Sequence, residues 1–344
     1  MHFDNITALC VGITTAFFGF YALQIFRMPQ RTRLQSVIGY IFLFRALLTL
    51  KGIIATYPDL RSPEIVNILI ITDGFKGVTL VAFLFELVKP GWANMRNILL
   101  NCILFLAMLV AYLIWPTTIM MYIYAIFVVV YGVTVCIHIW RKARRYIQYI
   151  RNNYSNIDNI DISWLDFVMI ISIAGQLIWL AAIFITNIHI DFFYYITLIV
   201  MWQIVLDHCL HQKPIKIEEL PAFTPQLPPQ KDYAFAGKLE QMVEEQQLYL
   251  NKDLTLADIA RSVKTNRPYL SDYFTRVKHL TFYDYVNQLR IEQMAIPMIQ
   301  QHPEYTFDYI ATESGFNSIS TFRRAFAKIT GKSPGQYRNE LETL

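Results

Sequence analysis

Seven stretches of about 20 mainly apolar residues fill the first 210 positions of this 344-residue chain. They are Ile6–Phe26, Leu34–Ile54, Ile65–Val88, Asn97–Trp115, Ile119–Trp140, Trp164–Thr186 and Ile190–Leu210. Each is long enough to cross about 30 Å of hydrocarbon as a helix. Lipid offers no hydrogen bonds to the backbone, so a spanning segment is either a helix or a strand of a closed barrel. The runs are continuous rather than alternating, which selects helices. The first run lacks the basic flank and cleavage site of a secretory leader.

The basic residues between the runs set the expected orientation, because loops rich in Lys and Arg stay in the cytoplasm. Arg27, Arg31 and Arg33 lie in the first loop, Lys89 and Arg96 in the third, and Arg141, Lys142, Arg144, Arg145 and Arg151 in the fifth. The other loops offer only Arg61. This pattern predicts a multi-pass protein of the inner (cytoplasmic) membrane, N-terminus outside and C-terminus in the cytoplasm. Trp92, Trp115, Trp140 and Trp164 near the segment ends fit interfacial anchoring.

Beyond Leu210 the composition changes. Residues 1–210 carry 14 Lys and Arg against 10 Asp and Glu, whereas residues 211–344 carry 16 of each sign. Five prolines between Pro214 and Pro229 mark a connector. The expected domains are therefore 1–210 as a seven-helix transmembrane domain, 211–235 as a Pro-rich linker, and 236–344 as a helical domain. No strand alternation is evident, and the expected fold class is all-α.

The helical domain contains one pattern twice. Thr255-Leu-Ala-Asp-Ile259-Ala260 returns as Thr306-Phe-Asp-Tyr-Ile310-Ala311, and Leu270, Phe274, Arg276 and Tyr285 are answered by Phe322, Phe326, Lys328 and Tyr337. Each copy reads as two short helices joined by a tight turn. Thr255 with Asp258 forms a capping box, and Asn266, Thr306 and Ser318 cap further helices. A longer helix over about 282–301 links the copies, with Pro297 expected to kink it. Paired helices of this kind place the second helix in the DNA major groove. Base-facing positions would be Arg267, Pro268, Ser271 and Asp272 in the first copy, and Ile319, Ser320, Arg323 and Arg324 in the second. Arg276, Lys278, Lys328 and Lys332 are placed to reach phosphates. From Ser314 to Asn339 there are five basic residues and no acid, the local basic face that DNA contact requires.

The segments Leu256-Ala-Asp-Ile-Ala260, Tyr269-Leu-Ser271, Phe274, Gly315-Phe316, Phe322 with Phe326, and Gly331-Lys-Ser-Pro334-Gly-Gln-Tyr337-Arg338 resemble the DNA-binding domain of the AraC/XylS family of bacterial transcription regulators. The resemblance covers about Leu239 to Leu341. It implies seven helices in two helix-turn-helix units, binding to double-stranded promoter DNA, often activation, and RNA polymerase as an expected partner. Three positions depart from the family pattern: Lys264 stands where the first turn often has Gly, Ser314 replaces an apolar residue, and Pro297 lies in the linking helix. The resemblance says nothing of residues 1–210.

Within the apolar half, Arg45, Lys51, Asp73, Lys76 and Glu86 are costly in hydrocarbon and call for partners. Arg45, Asp73 and Lys76 fall at similar depth and are expected to cluster inside the bundle. There they form either a structural ion pair or, through excess positive charge, a receptor for an anionic group of an unknown small ligand. Asp207, His208 and His211 share metal-ligand chemistry but fit better as interfacial residues ending the last run. Cys10, Cys102, Cys136 and Cys209 have no disulfide or zinc spacing. No phosphate-binding Gly loop, nucleophile elbow or catalytic carboxylate pair is present, so neither cofactor nor enzymatic activity is expected.

The sequence supports a membrane-bound, DNA-binding regulator with a transmembrane sensor, possible as a homodimer. The alternative is a membrane receptor or transporter whose helical tail binds protein. In a third reading the bundle is only an anchor.

Overall fold

The computed structural model describes residues 2–57, 62–184, 188–212 and 233–342. Arg61 and most of the expected Pro-rich linker lie outside the described residues. Helices account for the described architecture, and the one β-type pairing among them is an isolated bridge between Tyr154 and Thr255. The chain divides into two compact units, one of residues 1–144 and 162–214, the other of residues 145–161 and 215–344. This partition differs from the expected boundary at 210, because a segment from the middle of the apolar half belongs with the C-terminal domain.

The first unit contains α1 (His2–Arg27), α2 (Arg33–Leu50), α3 (Pro63–Asp73), α4 (Phe75–Val88), α5 (Met95–Ile114), most of α6 (Thr118–Asn153), α7 (Leu165–Phe184) and α8 (Ile188–His211). Among the described residues, six helical stretches are long and apolar enough to cross a membrane, and one further apolar helix, Leu165–Ala181, is shorter. Large apolar side chains such as Leu9, Leu23, Ile103, Ile126 and Ile170 point outward. The interior is aromatic: Phe18, Phe42, Phe83 and Trp202 are fully buried and meet largely edge to face.

The third apolar run is irregular at Gly74, between α3 and α4 and directly after Asp73. Gly74 keeps helical dihedrals (φ −60, ψ −25), so the helix tightens by a turn there rather than ending. Carbonyls around it have further partners. Tyr124 Oη donates to Ile71 O at 2.6 Å, Gly74 N–H also reaches Ile71 O, and Lys51 Nζ donates to Leu69 O. Gly74 is required by close approach rather than by conformation, since a Cβ there would lie 1.7 Å from Tyr124 Oη.

The second unit holds α9 (Ala236–Glu245), α10 (Leu256–Ser262), α11 (Arg267–Arg276), α12 (Phe282–Leu289), α13 (Ile296–Gln301), α14 (Phe307–Glu313), α15 (Ile319–Thr330) and α16 (Pro334–Glu342). The expected caps are present at Thr255, Asn266, Thr306 and Ser318, with Thr255 and Asp258 forming a full capping box. The first turn carries Lys264 at φ +59, so the lysine sits in the strained region where the family often places Gly. In the second turn Gly315 has φ +84, and a side chain there would also strike Leu250 O at 2.8 Å. Ser314 is fully buried, and its hydroxyl has no hydrogen-bond partner among the described residues.

The C-terminal signature reads as a sequence of physical devices. Gly331 ends α15 at φ +75, and Ser333 and Gln336 cap the start of α16 reciprocally. Pro334 occupies the first helical position, where no N–H is needed. Tyr337 packs edge-on against Phe326 at 5.5 Å, and Arg338 donates to Tyr305 O while lying over the Phe307 ring.

The linking helix is divided. α12 runs into a π-helical turn, Arg290–Ala295, before α13. Pro297 cannot donate to the turn before it and crowds the preceding carbonyl, so the wider turn takes up the mismatch. Residues up to Leu289 belong to the first core, with Leu256, Ile259, Leu270 and Phe274. Ile291, Ala295 and Ile299 belong to the second, with Ile310, Phe316, Phe322 and Phe326, while Met294 still packs against the first.

Arg290 lies between the two cores and is 1% exposed. Its guanidinium donates to Tyr249 O (2.6 Å), Asn251 O (2.8 Å), Ser155 O (3.2 Å) and Ser155 Oγ (3.3 Å), and it lies 5.5 Å from the Phe316 ring centre. Burial lowers its pKa to about 10, which leaves it charged at neutral pH.

Two outcomes follow for variants of the full chain. Gly74→Ala should lower the thermal midpoint in detergent or nanodiscs, as overpacking costs about 1–3 kcal/mol, and Tyr124→Phe in the same chain should restore part of the loss. Arg290→Met keeps the stem but strands the buried carbonyls, at a cost of about 2–4 kcal/mol. Amide exchange in α12 and α14 should then accelerate by roughly 30-fold or more.

Candidate nucleic-acid interface

The second helix of each unit buries one face and leaves the other free. In α11, Leu270, Tyr273 and Phe274 face the core, while Arg267, Pro268, Thr275 and Arg276 are exposed and Ser271 and Asp272 half-buried. In α15, Thr321, Phe322, Ala325 and Phe326 are buried, and Ser320, Arg323, Arg324, Ala327 and Lys328 are exposed beside half-buried Ile319. The structure therefore places each base-facing residue expected from the sequence on or beside the free face of its helix. It adds Thr275 and Ala327, one turn further along the same faces, which the short-range motif did not single out. Asn266 and Ser318 are engaged as caps, accepting from Tyr269 N–H and Thr321 N–H. A capped first turn fixes the helix end that enters a groove.

The cations fall into two classes. Those expected at phosphates are each paired with a carboxylate. Arg276 binds Asp272 at 2.7 Å, Lys278 binds Glu240 at 2.5 Å, Lys328 binds Asp284 at 2.7 Å, and Lys332 binds Glu340. The lysine is the main reason that Glu240 has a lowered pKa, and the glutamate correspondingly raises that of Lys278. Such exposed pairs are weak, and a phosphate is a competent replacement partner for the cation. Asp272 also accepts from Tyr233 Oη at 2.8 Å, which ties it to the segment preceding α9. By contrast, exposed Arg267 and Arg323 have no ion-pair partner among the described residues, and Arg324 donates to Thr321 Oγ1 at 3.2 Å.

One part of this unit escaped the sequence reading. Ser155 N–H donates to Leu254 O, Ser155 accepts from Arg290, and Asp158 Oδ1 accepts from Thr321 Oγ1 on α15. Arg151 lies over the Tyr283 ring, whose hydroxyl pKa is raised chiefly by burial. The stretch between α6 and α7 is therefore a structural component of the helix-turn-helix unit. The sequence carried only an indirect signal: the basic residues that extend α6 past Trp140 to Asn153.

In the first unit, Arg45, Asp73 and Lys76 line one cavity of about 100 Å³, together with Tyr131, Gln176 and Tyr194. Asp73 binds Lys76 at 3.0 Å and also Lys51 at 2.8 Å, a residue outside the expected cluster. Arg45 is not bonded to Asp73. It donates to Thr79 Oγ1 and to Lys76 O, both at 2.8 Å, and lies 4.5 Å from the Trp202 ring centre. Glu86 is satisfied separately by Arg33 and by Gly91 and Ala93 N–H groups. His208 stacks on Trp164, while Gln203 donates to Asp207 and the His211 ring meets Asp207 O.

Comparison with known proteins agrees with this geometry for the C-terminal part. A family described as a helix-turn-helix domain matches residues 248–340. An uncharacterized HTH-type transcriptional regulator of Staphylococcus aureus (strain COL) is 29% identical over 107 residues, covering 31% of this chain and 14% of that protein. The melibiose operon regulatory protein of Escherichia coli (strain K12) is 38% identical over 85 residues, covering 25% of this chain and 28% of that protein. The chain thus aligns with well under a third of each of these relatives. No solved structure matches. Residues 248–340 of this chain match the AraC-type helix-turn-helix domain, and the free faces and caps of α11 and α15 agree with that match.

Proposed function

We propose that the chain is a membrane-held transcription regulator whose helices α11 and α15 enter successive major grooves of promoter DNA. The observation that carries this reading is the paired arrangement itself: two capped helices, each with a free face, joined by one linking helix within a single unit. Arg267, Pro268, Ser271 and Asp272, then Ile319, Ser320, Arg323 and Arg324, meet base edges. Arg276, Lys278, Lys328 and Lys332 exchange their carboxylates for phosphates. RNA polymerase is the expected protein partner, and pairing of two copies on adjacent sites is compatible with this docking.

The apolar helices of the same chain support residence in the lipid bilayer of the inner membrane, with the C-terminal domain in the cytoplasm. The cavity beside Gly74 supports a sensing role. Its lining carries Arg45 and Lys76 against Asp73 alone, and one anionic group of a small ligand would balance it.

Full-length protein in nanodiscs should shift duplex DNA in a salt-dependent manner, and carbonate-washed membranes should retain it. Arg323→Ala should cost about 1–3 kcal/mol at one base position. Arg276→Ala should weaken binding evenly across sequences and reduce the salt slope by about 1. Binding that ignores both substitutions and ionic strength would remove the assignment.

A further inference from the structure

A helix lying in the major groove has a phosphate backbone along each edge, and its first turn offers free N–H groups to the nearest phosphate. On α15 one such edge is formed by Thr321, Arg324 and Lys328. Both of its cationic or polar ends are already occupied by acids from the same unit: Asp158 at Thr321 and Asp284 at Lys328. Asp284 belongs to the linking helix. Asp158 does not, since it comes from the stretch between α6 and α7, about 160 residues away along the chain.

The attachment of that stretch is specific. Ser155 pairs with Leu254 through its backbone and is gripped by Arg290 through both O and Oγ. Tyr154 bridges to Thr255, and Ile157 is buried beside them in sequence. Asp158 N–H is itself fixed by Asn156 Oδ1 at 2.9 Å, which holds the carboxylate in place. Its second oxygen, Oδ2, is buried without a hydrogen-bond partner among the described residues. An anion held with half its acceptors unused, beside Arg324 and at the first turn of a reading helix, has the chemistry of a phosphate substitute.

We infer that Asp158 is a built-in competitor for DNA: it occupies the phosphate position at the N-terminal edge of α15, and withdrawal of the α6–α7 stretch frees the second reader. The inference rests on the DNA-reading role of α15. It adds a second covalent route by which the apolar half reaches the reader, because α6 lines the intramembrane cavity with Val128, Tyr131, Gly132 and Val135 and ends at Asn153, one residue before the bridge.

The test uses full-length protein in nanodiscs and a fluorescent random-sequence duplex, titrated at low salt. Asp158→Asn is isosteric and should tighten binding by about three- to tenfold, because a like charge facing phosphate is removed. Glu245→Gln makes the same charge change on α9 and should leave binding nearly unaltered. A second variant, Asp158→Cys with Thr321→Cys, should bind well when reduced and poorly when oxidised, with recovery on adding thiol. Unchanged or weakened binding by folded Asp158→Asn, an equal gain from Glu245→Gln, or equal binding by an oxidised and verified crosslink would each overturn the proposal. Failure of the wild type and every variant to bind any duplex would instead remove the DNA-reading role, and this inference with it.

Discussion

A guanidinium buried between two hydrophobic cores holds the second unit together. Removing an ion from water costs several kcal/mol even after relaxation, so Arg290 persists only because carbonyls from Tyr249, Asn251 and Ser155 surround it. Those acceptors come from two separate stretches of chain. Backbone carbonyls that would otherwise be buried in an apolar seam find their donor in a single side chain, and the donor finds its solvation in them. An apolar residue at this position would leave the carbonyls unsatisfied, whereas loss of either stretch would leave the charge undersolvated. Helices α11 and α15 are therefore set relative to each other by a mutual hydrogen-bond requirement as well as by the linking helix.

The same logic governs the charged groups of the apolar unit. Three cations and one carboxylate lie around Gly74, and each cation donates to a backbone or hydroxyl oxygen or pairs with Asp73. Thr79 Oγ1 and the Lys76 and Leu69 carbonyls supply these acceptors, each as a second bond beside its place in the helix. Gln176 Oε1, buried at the cavity without a partner among the described residues, is the polar group that this arrangement leaves unanswered.

Local features were legible in the sequence because their causes are local. Capping by Thr255, Asn266, Thr306 and Ser318 depends on residues three apart, and the turn at Gly315 depends on one residue's conformational freedom. The free faces of α11 and α15 follow from the 3.6-residue period. The strain at Lys264 was visible as a missing glycine. What the sequence concealed depends on contacts across long separations. Nothing near Asp158 announces Thr321, and Arg290 reads simply as one more charge on a soluble helix. The irregularity at Gly74 was hidden because hydropathy does not register the Tyr124 hydroxyl that requires a glycine there. Lys51 joined Asp73 for the same reason, since depth along a span can be counted while rotation about it cannot.

That difference bears on how a signal would travel. A coupling route through α8 and the stretch after it is what chain order suggests, as the C-terminal domain follows α8 directly. Yet residues 145–161 belong to the second unit, so the backbone enters that unit twice. A change in the cavity that rotates or shifts α6 acts on Tyr131 and Ser155 through one continuous helix and the two residues beyond it. Transmission by this route needs no stiffness in the connector before α9. It needs only that Ser155 and Asp158 have two states of nearly equal free energy, engaged and withdrawn. Asp158, with one oxygen satisfied and the other not, is poised nearer to that balance than a fully bonded carboxylate would be, because the buried unpaired oxygen offsets part of what the Thr321 bond contributes.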